Sequence, residues 1–321
     1  MRQRFFKKAI NHLLFLFICI ALTSYKTNGP IVLSDEPMPF KPGEYYIAGV
    51  TDERVDKNTI AQIVIHEQAN KPLIQATDLQ GGAAVAIGRF IEHNLSKDQS
   101  LRPVIIKLKE FKLTEANMSN GSVDGHIRLF LSFGLQKDYG VEHLVDYHGG
   151  LHYTRYGNNT TSIEPHVRSI LKNSLVYFND WMKANVDFNR KLAKNVQISF
   201  TNYTEQPEGD TIYYSAHRPL TWDDFQSKFT PRGNVEAEVM PSIGYNYQAE
   251  IIKGTINVHL AMKAYVPKSA CWANYSGRDD YALNHEQRHF DIVKIITEQF
   301  KQKVLAEKLT PDTFEAFINM Q

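Results

Sequence analysis

Two histidines and a glutamate lie close together near the end of the chain, in the run His285-Glu286-Gln287-Arg288-His289. In an α-helix, residues four apart differ by about 40° around the axis and about 6 Å along it, so both imidazoles could reach one ion. Glu286 is turned about 100° from His285, which suits a carboxylate that contacts an attacking water. The spacing therefore predicts a zinc site for hydrolysis, with His285 and His289 as ligands and Glu286 as general base.

A catalytic zinc ion usually has three protein ligands and one open position. The sequence leaves the third ligand open among three residues: His259, His217 or Glu315. Asp291 lies about 200° around the helix from His289, so we expect it to hold a neighbouring element rather than the metal. Side chains that could donate a hydrogen bond to developing negative charge are Arg218, Tyr265 and Tyr281.

The segment around this motif has the pattern of a long helix. No Pro or Gly interrupts residues 281–309. Its apolar residues form a broad surface, which predicts a buried helix: Tyr281, Leu283, Phe290, Ile292, Val293, Ile295, Ile296 and Phe300. Upstream, Thr221 and Asp224 have the spacing of a capping box for a short helix.

Alternating and helical patterns predict an α+β fold with two domains. Strands are predicted over 45–50, 103–113, 124–133 and 141–153, with a turn at 136–140, and helices over 82–93 and 162–185. Further strands are predicted over 239–249 and 255–265. We assign residues 44–200 to an N-terminal α+β domain. Residues 210–321 are predicted to form a zincin-like metallohydrolase domain, in which a small antiparallel sheet packs on the long zinc-motif helix.

The first residues resemble an export signal. Arg2, Arg4, Lys7 and Lys8 precede the apolar run 13–22, which predicts a signal peptide over 1–24, with an uncleaved N-terminal anchor as the alternative. Polar residues 25–43 are predicted to be a linker. The protein is therefore expected to be exported, to the periplasm, the cell envelope or the extracellular space.

Charge and cysteine content narrow the class of protein. Removing residues 1–24 takes away four of the 36 Lys and Arg and none of the 35 Asp and Glu, which leaves 32 basic and 35 acidic residues. A net charge of −3 gives no indication of nucleic-acid binding. Cys271 is then the one remaining cysteine, which excludes an intramolecular disulfide.

The C-terminal half resembles a known family over about residues 210–306. Three features carry the resemblance: Leu220-Thr221-Trp222-Asp223-Asp224-Phe225, Ser269 with Trp272, and His285-Glu286-Gln287-Arg288-His289-Phe290-Asp291. Together they resemble the bacterial family of predicted secreted zinc-dependent proteases, a domain of unknown function. The resemblance implies protease activity. Residues 44–200 are faintly similar to envelope lipoprotein domains through Gly49–Arg54 and the β-α-β order, which is an analogy of fold.

Two classes of function follow from these observations. The first is a secreted zinc-dependent hydrolase, a metallopeptidase acting on a protein or peptide substrate, whose N-terminal domain positions it or binds an envelope protein. The second is a non-catalytic cell-envelope binding or assembly module, with a structural metal or none. Glu286 favours the first class, because a purely structural metal site needs no carboxylate between its ligands.

Overall fold

The computed structural model describes residues 29–66, 71–229 and 236–320. Its strands and helices give an α+β fold, as the sequence predicts. The chain divides after Trp181 into two compact units. The predicted signal peptide, residues 1–24, lies outside the described residues. Among the described residues, no helix combines the length and the apolar character that crossing a membrane requires.

The first unit is built on one twisted sheet. Its strands are β1 (Tyr45–Asp52), β2 (Ala61–His66), β3 (Pro72–Thr77), β4 (Arg102–Asn117), β5 (Ser122–Lys137) and β6 (Gly140–Tyr156). They lie in the order β3-β2-β4-β5-β6, and β1 pairs parallel with β4. Strands β4, β5 and β6 are antiparallel neighbours. Strands β2 and β3 were absent from the sequence-based assignment.

Two helices accompany this sheet, α1 (Ala83–Asn94) and α2 (Ile163–Asn185). Their apolar stripes are buried, and the ring of Phe178 on α2 stacks on that of Phe133 on β5 with centroids 4.2 Å apart. Along β5 the odd-numbered residues from Ile127 to Phe133 are buried, as expected for a strand with one face in the core. The even-numbered residues at its start therefore lie on the outer face.

The predicted linker, residues 25–43, is bound to the first unit over its described part. Ile31 forms a parallel bridge with Leu79, and Glu36 forms an ion pair with Arg168. A free linker would leave these groups in solvent. The described part of this segment therefore belongs to the first unit.

The second unit has a sheet centred on β11 (Thr255–Pro267). Strand β10 (Ser242–Ile252) pairs antiparallel along one side of β11. On the other side lie β7 (Asn195–Asn202), which is parallel, and β8 (Thr211–Tyr213), which is antiparallel. The sheet is thus mixed rather than antiparallel. Strand β7, which the sequence analysis placed in the N-terminal domain, pairs with β11 instead. Two short strands, β9 (Ala237–Glu238) and β12 (Trp272–Ala273), pair separately.

Two helices complete this unit, α3 (Asp280–Ala306) and α4 (Phe314–Met320). Even-numbered residues of β11 from Ile256 to Met262 pack with Phe314 and Ile318 of α4. Farther along β11, Ala264 and Val266 share a cluster with Phe290 of α3. The even face of β11 is therefore the face that both helices cover.

Helix α3 is buried along a narrow stripe, narrower than the broad apolar surface of the predicted buried helix. The buried residues are Glu286, Phe290, Thr297 and Val304. Ile292, Ile295 and Ile296 are exposed, each to about half of its maximum. The polar motif residues occupy part of the surface, so only one side of the helix contacts the sheet.

Candidate metal centre on helix α3

The start of helix α3 is fixed by a capping interaction. Asp279 is the N-cap residue, and its carboxylate accepts a hydrogen bond of 2.8 Å from the backbone N–H of Ala282. Asp280 adds a second negative charge in the first turn, where it interacts favourably with the helix dipole. The motif therefore lies in the second and third turns of a well-capped helix.

His285 and His289 bring their imidazoles together on the surface of the helix. Their Nε2 atoms are 3.1 Å apart, and the ring planes are inclined by 80°. Two nitrogen ligands at about 2.0–2.1 Å from a tetrahedral zinc ion would be about 3.3–3.4 Å apart. Both side chains are exposed, so an ion could reach them from solvent. The pair therefore fits two positions of a zinc site.

Glu286 lies in a different environment from the two histidines. It is buried, and its Oε2 accepts a hydrogen bond of 2.8 Å from the backbone N–H of Val239, just after β9. This bond attaches the end of β9 to the helix. One carboxylate oxygen of the expected general base is thus held by the fold.

The structure does not bring the three candidates for a third ligand to the histidine pair. His259 lies on the odd face of β11, away from α3, and its two ring nitrogens are 3.1 and 3.0 Å from the hydroxyls of Ser199 and Thr201. Glu315 forms an ion pair of 2.7 Å with Arg190.

His217 is exposed in the segment that follows β8. Within the described residues, one group of three His, Cys, Asp or Glu ligand atoms lies within 4.8 Å, and it is in the first unit. The histidine pair on α3 therefore has no third protein ligand of these types beside it there.

The three predicted hydrogen-bond donors have different surroundings. Tyr281 is exposed and precedes His285 by one helical turn, so it shares the face of the histidine pair. Tyr265 is on the odd face of β11, with its ring 6.2 Å from that of Tyr213. Arg218 forms ion pairs with Glu208 and Asp224, which raise the pKa of its guanidinium.

A hydrogen-bonded network holds the motif helix against the preceding segment. The side chain of Gln287 accepts from the backbone N–H of Leu220 at 2.8 Å and donates to Asp291 at 2.8 Å. Asp291 also accepts from the hydroxyl of Tyr214 at 3.0 Å. Burial raises the pKa of Tyr214, and the bond to Asp291 adds to this. Asp291 thus binds the neighbouring segment at Tyr214, as the sequence predicts, and Gln287 binds the same segment at Leu220.

The segment that Gln287 binds is itself held by hydrogen bonds. Thr221 and Asp224 form the predicted capping box around the short turn Trp222–Asp224. Burial alone would raise the pKa of Asp224, but hydrogen bonds from Arg218 and Thr221 outweigh it and hold the pKa below its usual range. The Trp222 ring lies 4.9 Å from that of Phe225. The segment 220–225 therefore supports α3, and the side chains of Thr221, Trp222 and Asp224 have structural roles.

Comparison with known proteins gives a limited picture. No protein-family model matches the chain, and no curated protein matches it. The resemblance of residues 210–306 to zinc-dependent proteases therefore rests on the quoted motifs alone.

Among solved structures, similar chains include a Xanthomonas campestris protein of the family DUF330, with a TM-score of 0.30 and 13% identity, over 49% of this chain and 94% of that chain. A minor lipoprotein from Acinetobacter baumannii has a TM-score of 0.21 and 13% identity, over 32% of this chain and 76% of that chain. A lipoprotein is the class that residues 44–200 faintly resemble. At TM-scores below 0.5, neither likeness says what this chain does.

Proposed function

We propose that the second unit is a zinc-dependent hydrolase that cleaves peptide bonds in an exported protein or peptide substrate. The observation that carries this proposal is the 3.1 Å separation of the Nε2 atoms of His285 and His289 on an exposed helix face. The basic and apolar residues 1–24 support export to the cell envelope or beyond it. An envelope protein is the proposed partner of the first unit.

His285 and His289 would hold the zinc ion, and Glu286 would act as general base. A zinc ion bound there would lower the pKa of a water molecule to about 7 and polarise a substrate carbonyl. Glu286 would accept the proton through the carboxylate oxygen that does not bond to Val239. That bond fixes the orientation of the carboxylate, which a proton acceptor at a fixed position requires. Tyr281 would donate a hydrogen bond to the developing oxyanion.

Two protein ligands hold zinc less tightly than the usual three, so we expect the affinity of this site to be lower than that of typical catalytic zinc sites. The purified protein should therefore be supplied with zinc and kept free of chelators. A second purified sample, treated with a chelator, gives the metal-free reference for every activity measurement.

The test compares zinc content and peptide hydrolysis in three variants. His289→Ala should lose zinc at this site and all hydrolysis, and Glu286→Gln should keep the zinc and lose hydrolysis. His217→Ala is the matched control, since it removes an exposed histidine outside the pair, and both readouts should remain unchanged. Full hydrolysis by Glu286→Gln would overturn the general-base role. Unchanged zinc content and hydrolysis in His289→Ala would overturn the site itself.

A specific contact favours a second candidate, a non-catalytic envelope module. The buried Glu286 bonds to the backbone of Val239, so its carboxylate has a structural role without any catalysis. In this case no peptide should be hydrolysed with or without zinc, whereas Glu286→Leu, which cannot accept from Val239, should destabilise the second unit. A hydrolysis screen of the zinc-loaded wild type separates the two candidates, and thermal unfolding of the Glu286→Leu variant measures the structural role of Glu286.

A further inference from the structure

A second group of metal-ligand side chains lies on the outer face of the first unit, far along the sequence from the motif helix. His126 of β5 is directly opposite His152 of β6 in the antiparallel register. Asp124 precedes His126 by two residues, so it points to the same side of the sheet. The opposite side of β5 carries the buried Ile127 and Leu129. The three polar side chains thus project together from the core.

The two imidazoles approach one carboxylate from two strands. His126 Nε2 is 2.9 Å from Asp124 Oδ2, and His152 Nε2 bonds to the other oxygen, Oδ1. The ring centroids of the two histidines are 4.8 Å apart. One ligand atom from each residue lies within 4.8 Å of the other two. Three donors therefore meet around one point.

This geometry differs from that of an ordinary surface ion pair. An ordinary surface ion pair needs one imidazole and one carboxylate, and on β6 the His143 Nε2 lies 2.8 Å from the Asp146 carboxylate. At Asp124 a second imidazole is added, so two nitrogens and one oxygen converge.

We infer that Asp124, His126 and His152 form a binding site for a divalent transition-metal ion of the zinc class. Imidazole nitrogen suits zinc, copper and nickel, whereas calcium and magnesium take oxygen ligands. The side chains of both histidines are more than half exposed, so solvent or a further ligand has access to the remaining coordination position. This site is separate from the histidine pair on α3, and the inference is independent of the proposed hydrolase function.

Binding would replace the histidine–aspartate hydrogen bonds with bonds to the ion. Each imidazole that now donates an N–H to the carboxylate would have to present a bare Nε2 lone pair, so its proton would leave to the solvent or shift to Nδ1. Strands β5 and β6 would keep their register, because the three ligand atoms already lie within 4.8 Å of one another and side-chain rotation would close the remaining distance. The site therefore needs little rearrangement.

The experiment uses the full chain carrying His289→Ala, so that the α3 pair cannot contribute. Zn²⁺ is titrated calorimetrically, and bound metal is measured by elemental mass spectrometry. We expect about one ion per chain in this background. Adding His126→Ala or His152→Ala should weaken Zn²⁺ binding at least tenfold. Removing a residue that hydrogen-bonds to a metal ligand typically weakens metal binding about 10- to 100-fold, and removing a ligand itself should cost at least as much.

The matched control is His143→Ala in the same background, which removes a histidine from a histidine–aspartate pair on the same strand. Its affinity for Zn²⁺ should equal that of the background, and circular dichroism should show that all variants are folded. Binding of Co²⁺, followed by its visible absorption, gives a second readout of nitrogen ligation. Equal Zn²⁺ binding in the His126→Ala and His143→Ala chains, or no binding in the His289→Ala background, would overturn the inference. Loss of zinc from His289→Ala relative to wild type reports separately on the hydrolase site.

Discussion

Asp224→Asn tests whether the capping box of the second unit supports the motif helix. The Asp224 side chain is 5% exposed and accepts four hydrogen bonds, at 2.9 and 2.6 Å from Arg218 and at 2.7 and 3.0 Å from the backbone and hydroxyl of Thr221. Asparagine is nearly the same size, but it removes the charge and puts a donor where Arg218 and Thr221 also donate. The substitution therefore breaks the network with little change in packing.

The expected loss can be estimated from these contacts. Hydrogen bonds to a charged group contribute about 1.5–3 kcal/mol, and a helix N-cap about 1 kcal/mol. Arg218 is 32% exposed and keeps its ion pair of 2.8 Å with Glu208, so it is not left as an isolated buried charge. We therefore expect the free energy of unfolding of the second unit to fall by about 2–3 kcal/mol at pH 7.

The pH dependence of this effect has a defined sign. The folded-state pKa of Asp224 is lowered, so its stabilisation is complete above the unfolded-state pKa of about 3.9 and is lost as the pH falls through the lower folded-state value. The difference between wild type and Asp224→Asn should therefore be constant between neutral pH and about pH 5, and should shrink below about pH 4.

Urea unfolding, followed by circular dichroism and by tryptophan fluorescence, measures both quantities. Trp222 lies in the capped turn and contributes to the fluorescence together with Trp272 of the same unit and Trp181 of the first. Asp223→Asn is the control, because it makes the same chemical change at the adjacent, exposed position and should alter stability by no more than about 0.5 kcal/mol. Equal stability of Asp224→Asn and wild type at pH 7, or an equal loss in both variants, would refute the reasoning.

Three further predictions follow from single side chains. Arg155→Met leaves the fully buried carboxylate of Glu115 without its cation, so the free energy of unfolding of the first unit, measured in urea, should fall by about 3–5 kcal/mol. Arg128→Met, which breaks an exposed pair with Glu110, is the control and should lower it by at most about 1 kcal/mol. The thiol of Cys271 is buried, which raises its pKa, so a thiol reagent should label it in urea and leave it unlabelled in the folded protein; rapid native labelling would contradict this. His259→Ala should leave zinc content unchanged by elemental analysis, because its ring faces away from α3, and a loss of zinc would show that the face assignment is mistaken.

Local signals in the sequence predicted the motif helix well. Asp279 and Asp280 mark its beginning, and the predicted uninterrupted stretch 281–309 agrees with the observed helix Asp280–Ala306 to within three residues at its end, because caps and helical propensity act within a few residues. Its burial was predicted less well. Ile292 and Ile295 have the composition of a buried face, but burial depends on which residues of the sheet lie opposite, and periodicity alone does not contain that information.

Pairing between distant segments was the main source of error in the fold. Strand β7 lies mostly within the predicted N-terminal domain, residues 44–200, yet it pairs parallel with β11, about sixty residues later. The same limit affected the third ligand. The alternation that identified β11 placed His259 opposite its apolar neighbours, and the apolar side proved to be the side that contacts the helices. A ligand for α3 would therefore have had to come from the even face.

The cluster of Asp124, His126 and His152 shows why a correctly predicted hairpin was insufficient to find a site. The turn at residues 136–140 was predicted, and a regular ladder counted from that turn would place His126 opposite Leu151. The observed ladder shifts by one residue between Phe133 and Gly134, where β6 contains the extra residue Leu144. Because side chains alternate between faces, a shift of one residue moves every later side chain of β6 to the other side. This bulge brings His152 to the face of His126. A variant that lacks Leu144 should therefore lose the metal site even though all three ligands remain in the chain.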